Sequence, residues 1–556
     1  MPSSNGIRPA LAQDGPPGRS APRSRLRFAL VLLASLAVAA SLTLMSRFDA
    51  EAADLGALAE FDGADCDVTV PGSWASNSLL PDPFTRIDGT RITSKDQWEC
   101  RRAEIKELAE RTIYGDKPAP PASVSGTVTS SQITVNVSDN GRTASFSATV
   151  QLPSGTGPFP AVIVYGGFGA DTSTILSTGT AVIDFNPASV GAEGTARNNK
   201  QGAFYTLYGA TSSTGILMAQ AWGVSRIIDV IEQSDGSILT SSTGVTGCSR
   251  YGKGAFVAGA FDQRVDLTMP IESGTGGAPA LRAIAQESGS QPLSSAYGEQ
   301  PWLGDAFGSY TSNPAGLPVD THEMVGMIAP RGLFIMENPH VEWLGAQSGS
   351  VAALGGAEVY KALGAAGNIS YHSNVSDGTH CATRSEWRAP LQQSIMTFLH
   401  GNGNPPAVFT MHPSKTGNLA QWRDWTTPTL TDGPGSTTPP EETTSPDGPG
   451  ETTPPPSGAG CTAVVEVVST WGDGWQGNVH VTAGSGAISG WQLTWTWPGN
   501  QRITSSWNAT VTSSGATVTA EDVGWNGTVA AGATTNAWGF VASGSSATPT
   551  VTCTVA

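Results

Sequence analysis

A stretch rich in proline, threonine and glycine divides this chain, and no folded core can run across it. Residues 427–460 have the sequence TPTLTDGPGSTTPPEETTSPDGPGETTPPPSGAG, with almost no large apolar side chain. Such a composition cannot bury enough apolar surface to fold, and its prolines keep the chain extended. We therefore expect a linker at 427–460 between two separately folded parts, residues 53–426 and residues 461–556.

The first 52 residues have the composition of an export signal. A polar stretch with several arginines precedes an apolar run from Phe28 to Leu44, and small residues follow up to Ala52. This order is typical of a signal peptide and its cleavage site. The run is also close to the ~17 residues that a membrane-spanning helix needs. We expect a signal peptide (or a membrane anchor) with a propeptide-like segment at 1–52. The protein is then secreted, or alternatively anchored in the membrane and facing outside.

The charge balance excludes one class of partner. The chain has a formal net charge of −17, and only 13% of its residues are charged. A negative surface repels a phosphate backbone, so nucleic acid is not an expected partner. Sparse charge together with many tryptophans suits a neutral polymer such as a polysaccharide.

Residues 53–426 alternate apolar runs with helix-like segments. Residues 159–165 form a continuous apolar run that ends in a glycine turn, and residues 219–233 have helical spacing. Further strands are predicted at 180–185, 244–248, 264–271, 331–336 and 369–372. This alternation predicts an α/β domain, a mostly parallel sheet with helices on both faces.

Residues 461–556 follow a different pattern. Segments 462–468 and 491–497 alternate apolar and polar residues and are separated by Gly, Asn and Ser. This pattern predicts an all-β sandwich. Cys461 and Cys553 bracket the segment and most simply close it with a disulfide, because disulfides are the default in an exported chain.

A glycine-rich turn at 247–254, GCSRYGKG, contains the candidate nucleophile Ser249. A phosphate-binding loop is one interpretation, but Gly254 stands where that loop needs Ser or Thr. The second is a nucleophile elbow, a sharp strand-to-helix turn that presents a serine hydroxyl at the top of an α/β-hydrolase sheet. Gly252 lies one place later than in the usual G-x-S-x-G. On spacing alone, a glycine turn with an incidental serine stays open.

Candidate partners for the serine occur in the chain order Ser, acid, His that α/β-hydrolases use. Glu272 directly follows the predicted strand 264–271, and His380 lies in a late polar loop. Glu337, which also ends a strand, is a rival for the acid. A disulfide between Cys248 and Cys381 would join nucleophile and base; Cys66 would then pair with Cys100.

These residues resemble the glucuronoyl esterases, carbohydrate esterase family 15, over most of residues 60–405. The nucleophile motif G-C-S-R-x-G-K stands at 247–253, the acid motif E-S-G-x-G-G at 272–277 and the histidine motif H-C at 380–381. Glu337-Asn338 and residues 342–345 also match. The resemblance implies an α/β-hydrolase three-layer sandwich.

The resemblance also implies a role for each matched residue. Ser249 would attack an ester of 4-O-methylglucuronic acid, a side group of xylan, with an alcohol derived from lignin. His380 would be the general base, Glu272 its carboxylate, and Arg250 would stabilise the oxyanion. No metal or cofactor is implied. The positions that match sugar-contacting residues are Lys253, Gln291, Glu299 and Trp343.

Residues 461–556 resemble carbohydrate-binding module family 2, the cellulose-binding subtype. The resemblance makes Trp475, Trp507 and Trp525 the candidate cellulose-binding residues, because exposed indoles can stack on pyranose rings and a large exposed apolar patch normally marks a binding surface. Strand context instead places Trp491, Trp495 and Trp538 in the core.

The expected protein is a secreted monomer that acts on glucuronoxylan and lignin–carbohydrate esters and binds cellulose. Two alternatives stay open. The first is another carbohydrate esterase, such as an acetylxylan esterase. The second is a non-catalytic protein that binds the cell wall.

Overall fold

The computed structural model describes Glu60, Gly63 and residues 66–432, followed by 460–471, 474–507, 509–523, 527–529 and 531–555. The chain divides into two compact units, Met1–Thr437 and Thr438–Ala556. The predicted export segment 1–52 and most of the predicted linker lie outside the described residues. Within the described ranges, no helix has the length and apolar character needed to cross a membrane.

The first unit is built on a ten-stranded sheet with the order β1-β2-β3-β5-β4-β6-β7-β8-β9-β10. In this order, each neighbouring pair from β5 to β10 is parallel. The pairs β1-β2, β2-β3 and β3-β5 are antiparallel. The strands are β1 Ser123–Val128, β2 Gln132–Asp139, β3 Arg142–Gln151, β4 Phe159–Tyr165, β5 Ala181–Phe185, β6 Leu239–Cys248, β7 Val265–Ile271, β8 Gly332–Met336, β9 Ile369–His372 and β10 Phe409–Thr410.

Helices connect the parallel strands and cover the sheet. They are α1 Gln97–Ala109, α2 Thr172–Ser177, α3 Ala203–Tyr208, α4 Ile216–Glu232, α5 Arg250–Phe261, α6 Leu281–Ile284, α7 Leu293–Glu299, α8 Thr321–Ile328, α9 Ala346–Ala362 and α10 Ser385–Phe398. A π-helical turn, Glu110–Tyr114, continues α1.

Both faces of the sheet are buried, because successive side chains of β4 enter different cores. Ile163 packs in the core that contains the apolar faces of α4 and α5. Val162 and Val164 pack in a second core with Trp387 and Leu391 of α10. The predicted α/β-hydrolase architecture of helix, sheet and helix layers is therefore confirmed.

The first residues of the predicted linker pack on this unit. Leu430 is buried in its core, and the Thr431 N–H donates to the carbonyl oxygen of Thr93 at 3.0 Å. The folded unit thus continues at least to Asp432, past the predicted boundary at 426. The reason is that Leu430, an apolar residue within the predicted linker, packs in the core of this unit.

The second unit consists of two four-stranded antiparallel sheets, β11-β12-β17-β14 and β15-β16-β13-β18. This confirms the predicted all-β class. The strands are β11 Cys461–Trp471, β12 Gly474–Ala483, β13 Trp491–Thr496, β14 Arg502–Trp507, β15 Thr510–Ser514, β16 Thr517–Glu521, β17 Thr534–Ser543 and β18 Thr552–Val555.

The tryptophan assignments in the second unit need one correction. Trp491, Trp495 and Trp538 are buried in its core, as predicted. Trp475, predicted to be an exposed binding residue, is completely buried in the same core. Its ring packs edge-on against Phe540, with the ring centres 5.2 Å apart.

The physical reason for this correction is the position of Trp475 within a strand. It lies in β12, where Trp475, Gly477, Val479 and Val481 alternate inward and are all buried. The side chain of Trp507 and the whole of Trp525 lie outside the described residues, so their predicted cellulose contacts are neither supported nor opposed.

Three disulfides join Cys66 to Cys100, Cys248 to Cys381 and Cys461 to Cys553. These are the same pairs that were expected from the sequence. The second of them joins the end of β6 to the loop that follows β9, and it bears directly on the site.

Candidate active site

Ser249 occupies a sharp turn between the end of β6 and the start of α5. Its backbone angles are φ 60° and ψ −126°, a conformation that residues other than glycine rarely adopt. The Ser249 N–H donates to the carbonyl oxygen of Ile271 in the neighbouring strand β7, at 2.9 Å. This is the strand-to-helix geometry of a nucleophile elbow.

Close packing explains the glycines of the turn. A Cβ at Gly252 would lie 2.5 Å from the carbonyl oxygen of Ile271, and one at Gly247 would lie 2.8 Å from that of Tyr251. Both positions therefore exclude a side chain. In this chain the position that packs against the end of β7 is 252, so the second glycine stands one place later than in G-x-S-x-G.

Glu272 and His380 form a hydrogen-bonded pair beside this turn. Glu272 follows the end of β7 with φ 45° and is completely buried. Its Oε2 lies 2.6 Å from Nδ1 of His380 and accepts the backbone N–H of Cys381 at 2.9 Å. A carboxylate bonded to Nδ1 favours the tautomer with its proton on that nitrogen, so the lone pair of Nε2 can act as a base; Nε2 lies 3.7 Å from Cys381 Sγ.

Glu337, the rival acid, has different partners. It follows β8, is completely buried, and accepts a hydrogen bond from Ser273 Oγ at 3.3 Å. Burial, reinforced by the nearby charge of Glu272, raises the pKa of Glu337 to about 8. Of the two carboxyls, Glu272 is the one that contacts the histidine.

The disulfide Cys248–Cys381 joins the residue before Ser249 to the residue after His380, with a Cα–Cα distance of 5.8 Å. Cys248, Glu272, His380 and Cys381 also bring potential metal ligands within 4.8 Å of one another. Because the two sulfurs are bonded to each other, they cannot serve as thiolate ligands. The disulfide covalently joins the end of β6 to the loop that follows β9.

A cavity of about 470 Å³ opens above the turn. Of the eight residues predicted for this site, Glu272 lies beneath His380 and the other seven line the cavity. Those seven are Ser249, Arg250, Lys253, Gln291, Glu299, Trp343 and His380. The lining also includes residues that were not singled out from the sequence, namely Phe168, Tyr251, Trp302 and Leu344.

Lys253 is not a surface cation. Its side chain is buried, its Nζ donates to the carbonyl oxygen of Ser273 at 2.5 Å, and it lies 5.2 Å from the ring centre of Trp302. Burial lowers the pKa of Lys253 to about 8.

Gln291, Glu299 and Trp343 form one wall of the cavity. Gln291 Nε2 donates to Glu299 Oε2 at 2.7 Å, and the Gln291 N–H donates to the carbonyl oxygen of Trp343 at 3.0 Å. Trp343 is 54% exposed, so it is not part of the core. Its ring centre lies 5.8 Å from that of His380.

Arg250 begins α5 and carries an ion pair that the sequence did not predict. Its Nη1 lies 2.6 Å from Oε2 of Glu193. Glu193 also accepts a hydrogen bond from Nε1 of Trp302, at 2.6 Å. These residues lie far apart in the chain, so no local motif could have brought them together.

Serine hydrolases of the α/β-hydrolase class carry the nucleophile on the turn after a central strand and the histidine on a later loop. The fold and the candidate site of this chain have the arrangement of that class, with Ser249 on the turn after β6 and His380 on the loop after β9.

The comparisons with known proteins define the family. The family model described as "Glucuronyl esterase, fungi" matches residues 135–364, and the one described as "Cellulose binding domain" matches 461–556. The 4-O-methyl-glucuronoyl methylesterase of Hypocrea jecorina is 40% identical over 66% of this chain and 80% of that protein. The enzyme of the same name from Thermothelomyces thermophilus is 39% identical over 65% and 90%. The chain therefore belongs to the glucuronoyl esterase family and carries a cellulose-binding domain at its C-terminal end.

Solved structures agree with this assignment. The glucuronoyl esterase catalytic domain from Hypocrea jecorina has a TM-score of 0.61 at 38% identity and covers 65% of this chain and 100% of that one. A mutant glucuronoyl esterase from Sporotrichum thermophile, in complex with methyl 4-O-methyl-β-D-glucopyranuronate, has a TM-score of 0.62 at 37% identity and covers 66% and 100%.

Proposed function

We propose that this protein hydrolyses esters of 4-O-methyl-D-glucuronic acid in glucuronoxylan, with Ser249 as nucleophile, His380 as general base and Glu272 as the carboxylate that orients the base. The contact of 2.6 Å between His380 Nδ1 and the buried Glu272 carries the proposal. The disulfide supports it as well, because it joins the residues next to the serine and the histidine.

These proposed roles give the following reaction. Ser249 Oγ attacks the carbonyl carbon of the ester while His380 Nε2 takes its proton. The negative charge that develops on the carbonyl oxygen is stabilised by the Arg250 guanidinium and by the N-terminus of α5. The tetrahedral intermediate expels the alcohol, which takes the proton from His380. Water, activated by the same histidine, then releases glucuronate from the serine.

The sugar would bind against the polar wall of the cavity. Lys253, Gln291 and Glu299 offer donors and acceptors to its hydroxyl groups, and Trp343 offers an exposed ring face to the pyranose. A relative with the same fold, the mutant enzyme from Sporotrichum thermophile, holds a methyl ester of 4-O-methylglucuronate in its solved complex, which supports this choice of sugar.

The leaving alcohol would come from lignin. Phe168 lines the same cavity as Ser249 and is 58% exposed. An exposed aromatic ring at this position is suited to packing against an aromatic alcohol.

The rest of the chain would bring this site to the plant cell wall. The protein would be secreted as a monomer, and the Pro/Thr-rich segment would serve as a linker. Trp507 and Trp525 would stack on cellulose. Trp475 has no place in that surface, because it is buried in the core.

A set of esters tests the proposed function. Wild type should release alcohol from methyl and benzyl 4-O-methylglucuronate, and Ser249→Ala should lower kcat by a factor of about 10³ or more. Ser131→Ala, an exposed serine in the β1–β2 hairpin, is the matched control and should retain full activity. Activity confined to acetylated xylan would instead indicate an acetylxylan esterase. Full activity of Ser249→Ala would refute the assignment of the nucleophile.

A further inference from the structure

The guanidinium of Arg250 is held by a carboxylate that does not itself line the cavity. Glu193 lies in the loop after β5. Its Oε2 contacts Arg250 Nη1 at 2.6 Å, and its Oε1 accepts the indole N–H of Trp302 at 2.6 Å. Both oxygens of this carboxylate are therefore engaged, one by the cation and one by a neutral donor.

The backbone around Glu193 is fixed on both sides. The Ala192 N–H donates to the carbonyl oxygen of Gln201 at 2.9 Å, and the Gly194 N–H donates to Oε1 of Gln300 at 2.7 Å. Trp302, the second partner, has only 3% of its surface exposed. Hydrogen bonds on both sides of Glu193 thus hold the backbone that carries this carboxylate.

Arg250 is less restrained by its own surroundings. Its side chain is 43% exposed, and its contacts with Glu299 Oε1 at 4.0 Å and with the Trp302 ring at 5.8 Å are longer than the contact of 2.6 Å with Glu193. A long, exposed arginine has many rotamers available. A donor stabilises an oxyanion well only if it already points to the place where the charge will develop. The contact with Glu193 supplies that restraint, and it raises the pKa of Arg250 by hydrogen bonding and by charge.

We propose that Glu193 is a positioning residue for the esterase reaction. It directs the Arg250 guanidinium toward the oxyanion through its rigid attachment to Trp302. This inference rests on the proposed function, since it assumes that Arg250 acts on the reacting carbonyl oxygen. Glu193 itself does not line the cavity, so it would act through Arg250.

A double-mutant cycle in the full-length protein tests the inference through kcat for benzyl 4-O-methylglucuronate. Arg250→Met should lower kcat by about 100-fold, the usual effect of losing one oxyanion donor. Glu193→Ala should lower kcat by about 10-fold and leave KM within about twofold, because only the ordering of Arg250 is lost. In the Arg250→Met background, Glu193→Ala should have no further effect.

Two further variants serve as controls. Glu193→Gln keeps one acceptor oxygen and should restore part of the lost kcat. Glu107→Ala removes an exposed ion pair with Arg111 of similar type, at 2.5 Å, and should leave kcat unchanged. If Glu193→Ala does not fold, the same cycle is run with Glu193→Gln, for which a smaller loss of kcat is again expected to vanish in the Arg250→Met background.

Each other outcome overturns a specific statement. An unchanged kcat in the Glu193 variant, or an equal loss in both backgrounds, would overturn the positioning role. An unchanged kcat in Arg250→Met, with Ser249→Ala inactive, would overturn the role of Arg250 and this inference with it. Activity in Ser249→Ala would overturn the proposed function itself.

Discussion

Replacing Glu272 by glutamine should nearly abolish turnover, whereas the same change at Glu337 should not. The two residues end neighbouring strands and are both completely buried. His380 Nδ1 lies 2.6 Å from Glu272. Glutamine is nearly isosteric with glutamate, so each variant serves as the control for the other.

The expected loss at Glu272 can be worked out from this contact. When His380 takes the serine proton, its positive charge gains about 4 kcal/mol from a carboxylate at a charge separation of ~4 Å and an effective dielectric constant of about 20. Losing that energy corresponds to a factor of about 10³ in rate. A glutamine N–H facing Nδ1 also favours the wrong tautomer, so we expect kcat to fall by about 10³ to 10⁴.

Glu337 should behave differently because burial and the charge of Glu272 raise its pKa to about 8. At pH 7 the side chain is mostly protonated, and glutamine resembles that neutral form. We expect kcat of Glu337→Gln to stay within about threefold of wild type. The assay is kcat for benzyl 4-O-methylglucuronate at pH 7, with melting temperatures as a check on folding. An inactive Glu337→Gln beside an active Glu272→Gln would refute the assignment.

Stability provides an independent check on Glu337. A carboxyl whose pKa rises from 4.5 to about 8 on folding binds its proton more tightly in the folded state, so its contribution to stability is lost as pH rises through that range. The Glu337→Gln variant has no titratable carboxyl at this position, so it does not lose this contribution to stability as pH rises. Urea unfolding at pH 5 and pH 8 should show the variant gaining stability relative to wild type at the higher pH.

Three further predictions concern the Cys248–Cys381 disulfide, the buried Lys253 and the second unit. Changing both Cys248 and Cys381 to alanine should lower the unfolding free energy by up to about 5 kcal/mol, the chain-entropy value for residues 133 apart, and should also lower kcat; urea unfolding of wild type and variant would measure the first effect. Because burial lowers the pKa of Lys253 to about 8, its charge is lost above that pH, and KM for the glucuronate ester should rise there. The measurement is KM against pH in the Glu337→Gln background, with and without Lys253→Met. The rise in KM above pH 8 should be absent in the variant that carries Lys253→Met. Trp475→Ala should destabilise the second unit by about 3–5 kcal/mol, seen by calorimetry of the full chain; an unchanged transition with weaker cellulose binding would contradict its burial.

Much of the fold was predictable because buried parallel strands leave continuous apolar runs. The run 159–165 matches the limits of β4, and 264–271 differs from β7 by one residue. The candidate triad was also accessible from the sequence, since Ser249 and Glu272 directly follow predicted strands and His380 lies in a later loop, in a known chain order. The antiparallel strands β1 to β3 were not predicted, because their apolar residues alternate with serine, threonine and asparagine and leave no continuous run.

Contacts across the fold could not be predicted in this way. Glu193 and Trp302 are 109 residues apart, and nothing in the spacing around either residue indicates the other. Trp475 is a different case, because the signal was present. The alternation Trp475, Gly477, Val479, Val481 marks an inward strand face, but the resemblance to the cellulose-binding module placed Trp475 among the exposed binding residues.

The backbone at the site has a consequence for the evolution of this protein. Five non-glycine residues in the described part of the chain have positive φ: Asn140, Ser249, Glu272, Cys381 and Ala407. Three of them, Ser249, Glu272 and Cys381, belong to the candidate site, and conformations of this kind cost of order 1–3 kcal/mol each. Glycine at position 249 would relieve such strain and remove the proposed nucleophile. A library screened for heat resistance alone would therefore drift toward inactive sequences at these positions, so directed evolution of this enzyme must select for turnover in every round.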